Sequence, residues 1–408
     1  MPKECFDLLC SNIEAAVGAK AFCSHDFINT YLRSLDTPEG RMRNAAEAIN
    51  GDYICGEAKV ALVLRMMAGA SYIDIVLIFG ISYSHCYEIF HAVISNWICN
   101  DAVLPYLGEM YLTQDNEMGR TANEFATKGR HQGVIAGCIG ALDGWLVRIR
   151  SPKRSDSVTN ATSYFNRKGF FAINVQVLVD RSKRVIWRSI QSPGSEHDSS
   201  AFKSTGLYRK LMEENVNLLR KGLYIICDSA YAIRGFCIPP YDNAMPYSGE
   251  DNFNFYQSSC RIFVECTFGE IDMRWGIFWR PLQFSLQHNM KIIDAAMRLH
   301  NFIVDYRLDN PELFGYHREE REECEEEAEL FQQNNPLDVI GVFVDERNGA
   351  PRDVGRPMLD EAESKYHGEQ LRNVLRDQMI ALDLRRIGRE DQNTVTWFRD
   401  RFNRIREE

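Results

Sequence analysis

The sequence predicts a mixed α/β (α+β) chain, a sheet flanked by helices and preceded by a helical region. Two observations predict the sheet. Between residues 134 and 191, short β-branched and aromatic runs alternate with turn residues, and after a helical stretch from about Ser200 to Leu219 the run LYIIC stops at Asp228. A third predicts the helical region: from Lys59 to Ile98 the apolar period is that of helices.

Residues 1–55 show only weak helical patterning. The segments KVALVLRMMAGA, YIDIVLIFGIS and SHCYEIFHAVISNWI then read as three helices divided by Gly69-Ala70-Ser71 and Gly80-Ile81-Ser82, with Ser82 or Ser84 as a cap. A tight turn before the last helix makes the unit helix-turn-helix-like, although a structural bundle shares that pattern. Tyr83, Ser84, His85 and Tyr87, on the face that would enter a groove, bring no Arg or Lys, so little sequence reading is expected of it.

Apolar runs flank Asp143-Gly144, and FFAINVQVLVD and RVIWRSIQ flank Arg181-Ser182-Lys183, which together read as an antiparallel meander. A meander, a helix and a further strand open a ribonuclease-H-like mixed sheet, where neighbouring strand ends are natural places for a site. A helix is expected from near Ser259. At 100° per residue, Val264, Phe268, Ile271, Trp275 and Phe278 form its core stripe, with Glu265 beside them, Arg261 and Asp272 on the same flank, and Glu270 on the other side. A final amphipathic helix places Leu371, Leu375, Met379 and Leu382 on one face. The expected divisions are 1–125 (helical), 130–308 (sheet domain), 309–360 (acidic tract and linker) and 361–408 (C-terminal helical segment).

The formal charge of −10 is unevenly distributed. Residues 309–346 hold thirteen acids against Arg318 and Arg321, while residues 148–168 hold Arg148, Arg150, Lys153, Arg154, Arg167 and Lys168 against Asp156. Such a basic patch suits phosphates even on an acidic chain. The twelve cysteines include no C-x-x-C pair, which speaks against a zinc ribbon or disulfide framework and for reduced, buried thiols. No apolar run approaches the roughly 20 residues that span a bilayer, and the first residues do not read as a secretory signal, so the expectation is a protein neither secreted nor membrane-embedded.

Asp143 and Asp228 follow strand-like runs and Glu265 falls in a helical pattern, so the chain can bring one helix carboxylate to two strand-borne ones. Hard cations such as Mg²⁺ take carboxylate oxygens, with water or phosphate completing the shell. Taken singly, Asp143 would be the first residue of a D-G turn, Asp228 a strand-end cap and Glu265 a surface acid. His197 and Asp198 either orient a phosphate or water in a second shell or form an Asx turn. Arg167 and Lys168 precede an apolar strand and are expected near a phosphate backbone. His300 and Asn301, in AAMRLHN, are assigned a structural task at a helix end.

In this order, ALDGW, YFNRKGFFAINVQVLVD, GSEHDSSAF, CDSAY, RIFVECTFGEIDMRW and AAMRLHNFI resemble the Harbinger (PIF/Harbinger-type) transposase-derived nuclease family, from about Lys59 to Tyr306. The resemblance implies a DDE-type relative of ribonuclease H that cleaves DNA with two Mg²⁺ ions, Mn²⁺ substituting, on an Asp, Asp, Glu triad carried onto Asp143, Asp228 and Glu265. It also implies a Myb-like partner that supplies DNA binding and nuclear import, hence location in the nucleus after synthesis in the cytoplasm; a homo-oligomer is a further expectation. Where the family usually has Ser-Gly-Tyr and Gly-Thr-His, this chain has Ser229-Ala230-Tyr231 and Gly144-Trp145-Leu146, changes that reshape the site without removing a ligand.

Overall fold

The computed structural model describes residues 1–18, 22, 54–105, 108–127, 133–153, 156, 160–314 and 359–386. Most of the weakly patterned N-terminal stretch, Arg154, the acidic run with its linker and the chain beyond 386 lie outside the described residues.

Helix α1 (Lys3–Val17) precedes α2 (Gly56–Met67), α3 (Tyr72–Phe79) and α4 (Tyr83–Val93), the last three matching the expected segments. Ser71 caps α3 by accepting from Ile73 N at 3.2 Å, and Ser82, rather than Ser84, caps α4 by accepting from His85 N at 3.2 Å. Gly80 ends α3 with φ 64°, a left-handed conformation that glycine adopts without a Cβ clash. The axis therefore turns by 100° between α3 and α4 and its one-turn π extension. α5 (Asp115–Thr127) leads into the sheet.

Five strands form one mixed sheet in the order β3-β2-β1-β4-β5. β1 (Cys138–Arg148), β2 (Ala172–Val179) and β3 (Val185–Pro193) are the antiparallel meander, and β4 (Tyr224–Ile226) and β5 (Cys237–Ile238) add in parallel on the other side of β1. Between β3 and β4 the expected helical stretch is three short helices, α6 (Asp198–Lys203), α7 (Gly206–Glu213) and α8 (Asn215–Arg220). Thr205 interrupts them by capping α7, its hydroxyl accepting from Tyr208 N at 3.1 Å.

α9 (Gly249–Arg274) starts ten residues before the expected Ser259. Ser248 caps it, accepting from Asp251 N at 3.2 Å, and the asparagines and aromatics of its first turns conceal the helical period. Phe278 falls beyond its end, in a 3₁₀ turn at Gly276–Trp279. α10 (Leu286–Asp309) runs through AAMRLHN instead of ending there. His300 and Asn301 keep a structural task with different partners: His300 Nε2 meets Lys183 O at 2.8 Å, and Asn301 pairs with both backbone groups of Val185 at 2.8 Å. α11 (Glu361–Ala381) buries Leu371, Leu375 and Met379 against the body, but Leu382 is exposed because the helix has already ended.

Alternation in the strands divides the core in two. Ile173, Val175, Val177 and Val179 of β2 join α9, α10 and the N-terminal helices in one cluster, while Leu178 faces α6 to α8 in the other. Among the described residues no single helix is long and apolar enough to cross a membrane. The ten described cysteines of the sheet, helices and their connections are all free, and most are buried.

Candidate active site

Asp143 lies inside β1, which runs unbroken through Asp143-Gly144, so the residue is not part of a D-G turn. Its alternation partners Ala141, Trp145 and Val147 all pack toward α9 and α10, and Asp143 shares that face. On β4, Tyr224 and Ile226 point the same way, and Asp228 is next in the series. β1 and β4 are parallel, with Ala141 opposite Ile226. Asp228 follows the end of β4 by two residues, and that register continued would set it next to Asp143, whose carboxyl its negative charge helps to raise.

α9 brings the third acid. Gln257, buried, donates from Nε2 to the carbonyls of Cys227 at 2.7 Å and Ile238 at 3.2 Å, which moors the helix to the ends of β4 and β5. One turn on, Arg261 Nη1 contacts Asp143 Oδ2 at 2.9 Å, and one turn beyond that its Nη2 pairs closely with Glu265. Gln257, Arg261 and Glu265 form one i, i+4, i+8 row along the site. Val264, Ile271 and Trp275 are buried as expected, and Trp145 stacks on Phe268 with centroids 5.7 Å apart. Glu270 faces elsewhere, paired with Lys183 at 2.6 Å.

On the opposite face of the sheet Asp198, already singled out in the sequence, joins a polar network whose other members sequence reading did not find. Asp198, the first residue of α6, accepts at Oδ1 from Asn174 Nδ2 at 2.9 Å and Gln176 Nε2 at 3.1 Å, and Tyr231 donates to Gln176 Oε1 at 2.6 Å. Asn174 and Gln176 are 1 % and 0 % exposed. Their spacing of two within an apolar strand was the available signal. A Cβ on Gly144 would stand 2.2 Å from Asp198 Oδ1, so glycine is required for this carboxylate to sit against β1 directly behind Asp143. Asp198 thus supports the sheet from behind, and exposed His197 supplies only the backbone carbonyl that starts α6.

Burial pushes the Asp143 carboxyl up to about 6, and the negative charges of Asp228 and Asp198 add to the rise against the opposing Gly144 amide and Arg261. Asp228 is also raised, chiefly by burial, although its Oδ1 accepts from Ala230 N at 2.8 Å and Arg167 lies near enough to favour its charge. Among the described residues no group of three or more His, Cys, Asp or Glu is gathered closely enough to hold an ion, because Arg261 stands between Asp143 and Glu265. The three acids offer only carboxylate oxygen, the donor type a hard divalent cation takes, and of the other two Asp228 adds its negative charge to the rise at Asp143.

The candidate phosphate contacts separate. Arg148, Lys153, Arg167 and Lys168 are exposed on the end of β1 and the loop after it, Arg148 lying over the Phe170 ring at 4.4 Å. Arg150 is engaged within the fold, donating from Nε to Gln283 O at 2.9 Å and Phe284 O at 3.0 Å.

A family model described as DDE superfamily endonuclease matches residues 142–301, the span containing Asp143, Asp228 and Glu265. The chain is 24% identical over 179 residues to "Putative nuclease HARBI1" of Xenopus laevis, a match covering 43% of this chain and 48% of the relative. It is 25% identical over 197 residues to "Protein ALP1-like" of Arabidopsis thaliana (45% and 47%) and 24% identical over 178 residues to the Homo sapiens protein of the same name as the Xenopus one (43% and 48%). The matches thus span about half the length of each curated relative. No solved structure matches. Residues 142–301 therefore form a DDE superfamily endonuclease domain, and the chain is a homologue of the Harbinger transposase-derived nucleases.

Proposed function

We propose that the protein is a metal-dependent DNA endonuclease, a transposase or its domesticated descendant, acting through Asp143, Asp228 and Glu265. The observation that carries this reading is that Asp228, just past the parallel β4, acts on the charge of Asp143 on β1, while Arg261 bridges Asp143 to Glu265. The strand order, three antiparallel then two parallel, supports a ribonuclease-H-like sheet.

The three carboxylates would hold Mg²⁺ or Mn²⁺, two ions by analogy with such nucleases. A bound divalent ion supplies positive charge that acidifies an attacking water or 3′-hydroxyl and stabilises the departing oxygen. The chain's own residues prepare the site. Asp198 and its amides brace β1 behind Asp143, Gln257 sets the height of Glu265, and Arg261 keeps the acids apart until it releases them. Arg167, Lys168, Arg148 and Lys153 would lie along the DNA backbone, holding phosphates without reading bases; Arg154 belongs to the same basic stretch.

The 100° turn between α3 and α4 supports a helix-turn-helix-like unit in residues 1–125, ahead of a nuclease domain at 130–308, an acidic tract and linker at 309–360 and a C-terminal segment at 361–408. Without Arg or Lys on the face that would enter a groove, that unit is assigned weak sequence discrimination. A Myb-like partner would supply targeting and nuclear import, and a homo-oligomer would pair two DNA ends.

Purified protein with supercoiled plasmid and Mn²⁺ should nick the DNA, with Asp143→Asn, Asp228→Asn and Glu265→Gln each lowering the rate by at least about 10³-fold, of the order seen when a preorganised catalytic group is removed. Wild-type protein that cuts no DNA, alone or with a candidate partner, overturns the reading. The Arg261 bridge favours one second reading, a catalytically silent DNA- or protein-binding scaffold whose acids are closed by an internal cation. A calorimetric titration with Mn²⁺ that stays silent supports it.

A further inference from the structure

The far edge of the sheet carries a cleft that the nuclease reading does not use. β3 pairs with β2 on one side only. At Val185 its open edge is closed by Asn301, whose amide mimics a neighbouring strand with two bonds of 2.8 Å. From Trp187 to Gln191 the strand instead lines a cleft of about 640 Å³ between the α6–α7 connection and the first half of α10. Arg188, Arg209 and Lys291 line it against one carboxylate, Asp294. That carboxylate is held by Arg188 at 2.7 Å and Arg298 at 3.1 Å, which leaves the rim's balance positive.

An edge strand offers a row of backbone donors and acceptors, and an extended chain laid along it satisfies them. We propose that this cleft binds an extended acidic peptide segment of a partner protein as an added strand on β3, with Arg209 and Lys291 meeting its carboxylates from opposite walls. Two helical walls admit one extended chain, whereas a nucleic-acid duplex would touch only the rim. The proposal does not depend on the nuclease reading.

The probe is a short labelled peptide of repeating Val-Val-Glu-Glu, which turns carboxylates to both faces of an extended strand, titrated into the full chain, with a Val-Val-Lys-Lys peptide and a labelled DNA duplex beside it. Binding of the glutamate peptide in the micromolar range is expected, weakened at least about tenfold by Arg209→Glu with Lys291→Glu, a change of about 1.4 kcal/mol. Amide hydrogen exchange should show new protection confined to β3. The proposal is overturned by absence of binding, by binding that ignores the double variant, or by a duplex that displaces the peptide and protects the same amides. Melting of the variant at the wild-type temperature separates lost binding from lost folding.

Discussion

At the scale of single residues, the site combines charges that folding opposes. Asp143 has its folded value raised to about 6, above the ordinary aspartate value. A carboxyl raised by folding contributes stability below its unfolded value and loses it as pH climbs through the folded one, so ionised Asp143 costs stability at neutral pH. Asp143→Asn is therefore expected to stabilise the metal-free protein by about 1–3 kcal/mol at pH 7, since each tenfold change in proton affinity is worth about 1.4 kcal/mol. Urea denaturation at pH 7 and pH 4 should show that gain at the higher pH and little at the lower. Gly144→Ala works in the other direction. Its methyl would meet Asp198 at 2.2 Å, and overpacking of this kind costs about 1–3 kcal/mol. The variant should melt lower and cut more slowly, and a Gly144→Ala protein as stable as wild type would show that Asp198 moves freely.

At the scale of elements, α9 matters through its mooring as much as its acid. Gln257 satisfies two strand-end carbonyls from a buried position, and Leu there leaves both without that donor. Gln257→Leu is expected to cost about 1–3 kcal/mol and to lower kcat more than KM, because Glu265 loses its height above the sheet; equal kcat in both proteins would remove Gln257 from the positioning role. This element also shows what sequence periodicity can reach. The stripe of Val264, Ile271 and Trp275 faces the core as expected, while Glu265, half exposed, meets Arg261 of its own helix and Glu270 meets Lys183 between β2 and β3. Periodicity missed the first turns, where Gly249, Asn252 and Asn254 dilute the pattern and a serine cap decides the start. Leu382 failed similarly, since a period has no meaning past a helix end.

At the scale of the molecule, one buried and one half-buried histidine are expected to weaken the fold in acid. His300 and His91 are both lowered to about 4, chiefly by burial, His300 also by Arg274 and His91 by His288, on which it stacks at 3.9 Å between ring centroids. A histidine with a depressed folded value leaves the unfolded chain binding more protons, so stability falls as pH drops from about 6.5 toward 4. Thermal melting should decline through that window, and His300→Gln should flatten the decline even where it lowers the neutral melting temperature. An unchanged slope in that variant would place the acid sensitivity elsewhere.

Order and residue type along the chain already specified a mixed sheet, three N-terminal helices, an acid within one strand, an acid just past another and an acid on a helix, because alternation and helical period are local properties that burial imprints on sequence. Tertiary structure alone decided that β1 and β4 lie parallel, so that the charge of Asp228 reaches Asp143, that Arg261 comes between Asp143 and Glu265, and that Asp198 braces β1 from behind with Asn174, Gln176 and Tyr231. Those contacts join residues far apart in the chain. A polar side chain inside an apolar strand does not name its partner until the strand has neighbours on both faces.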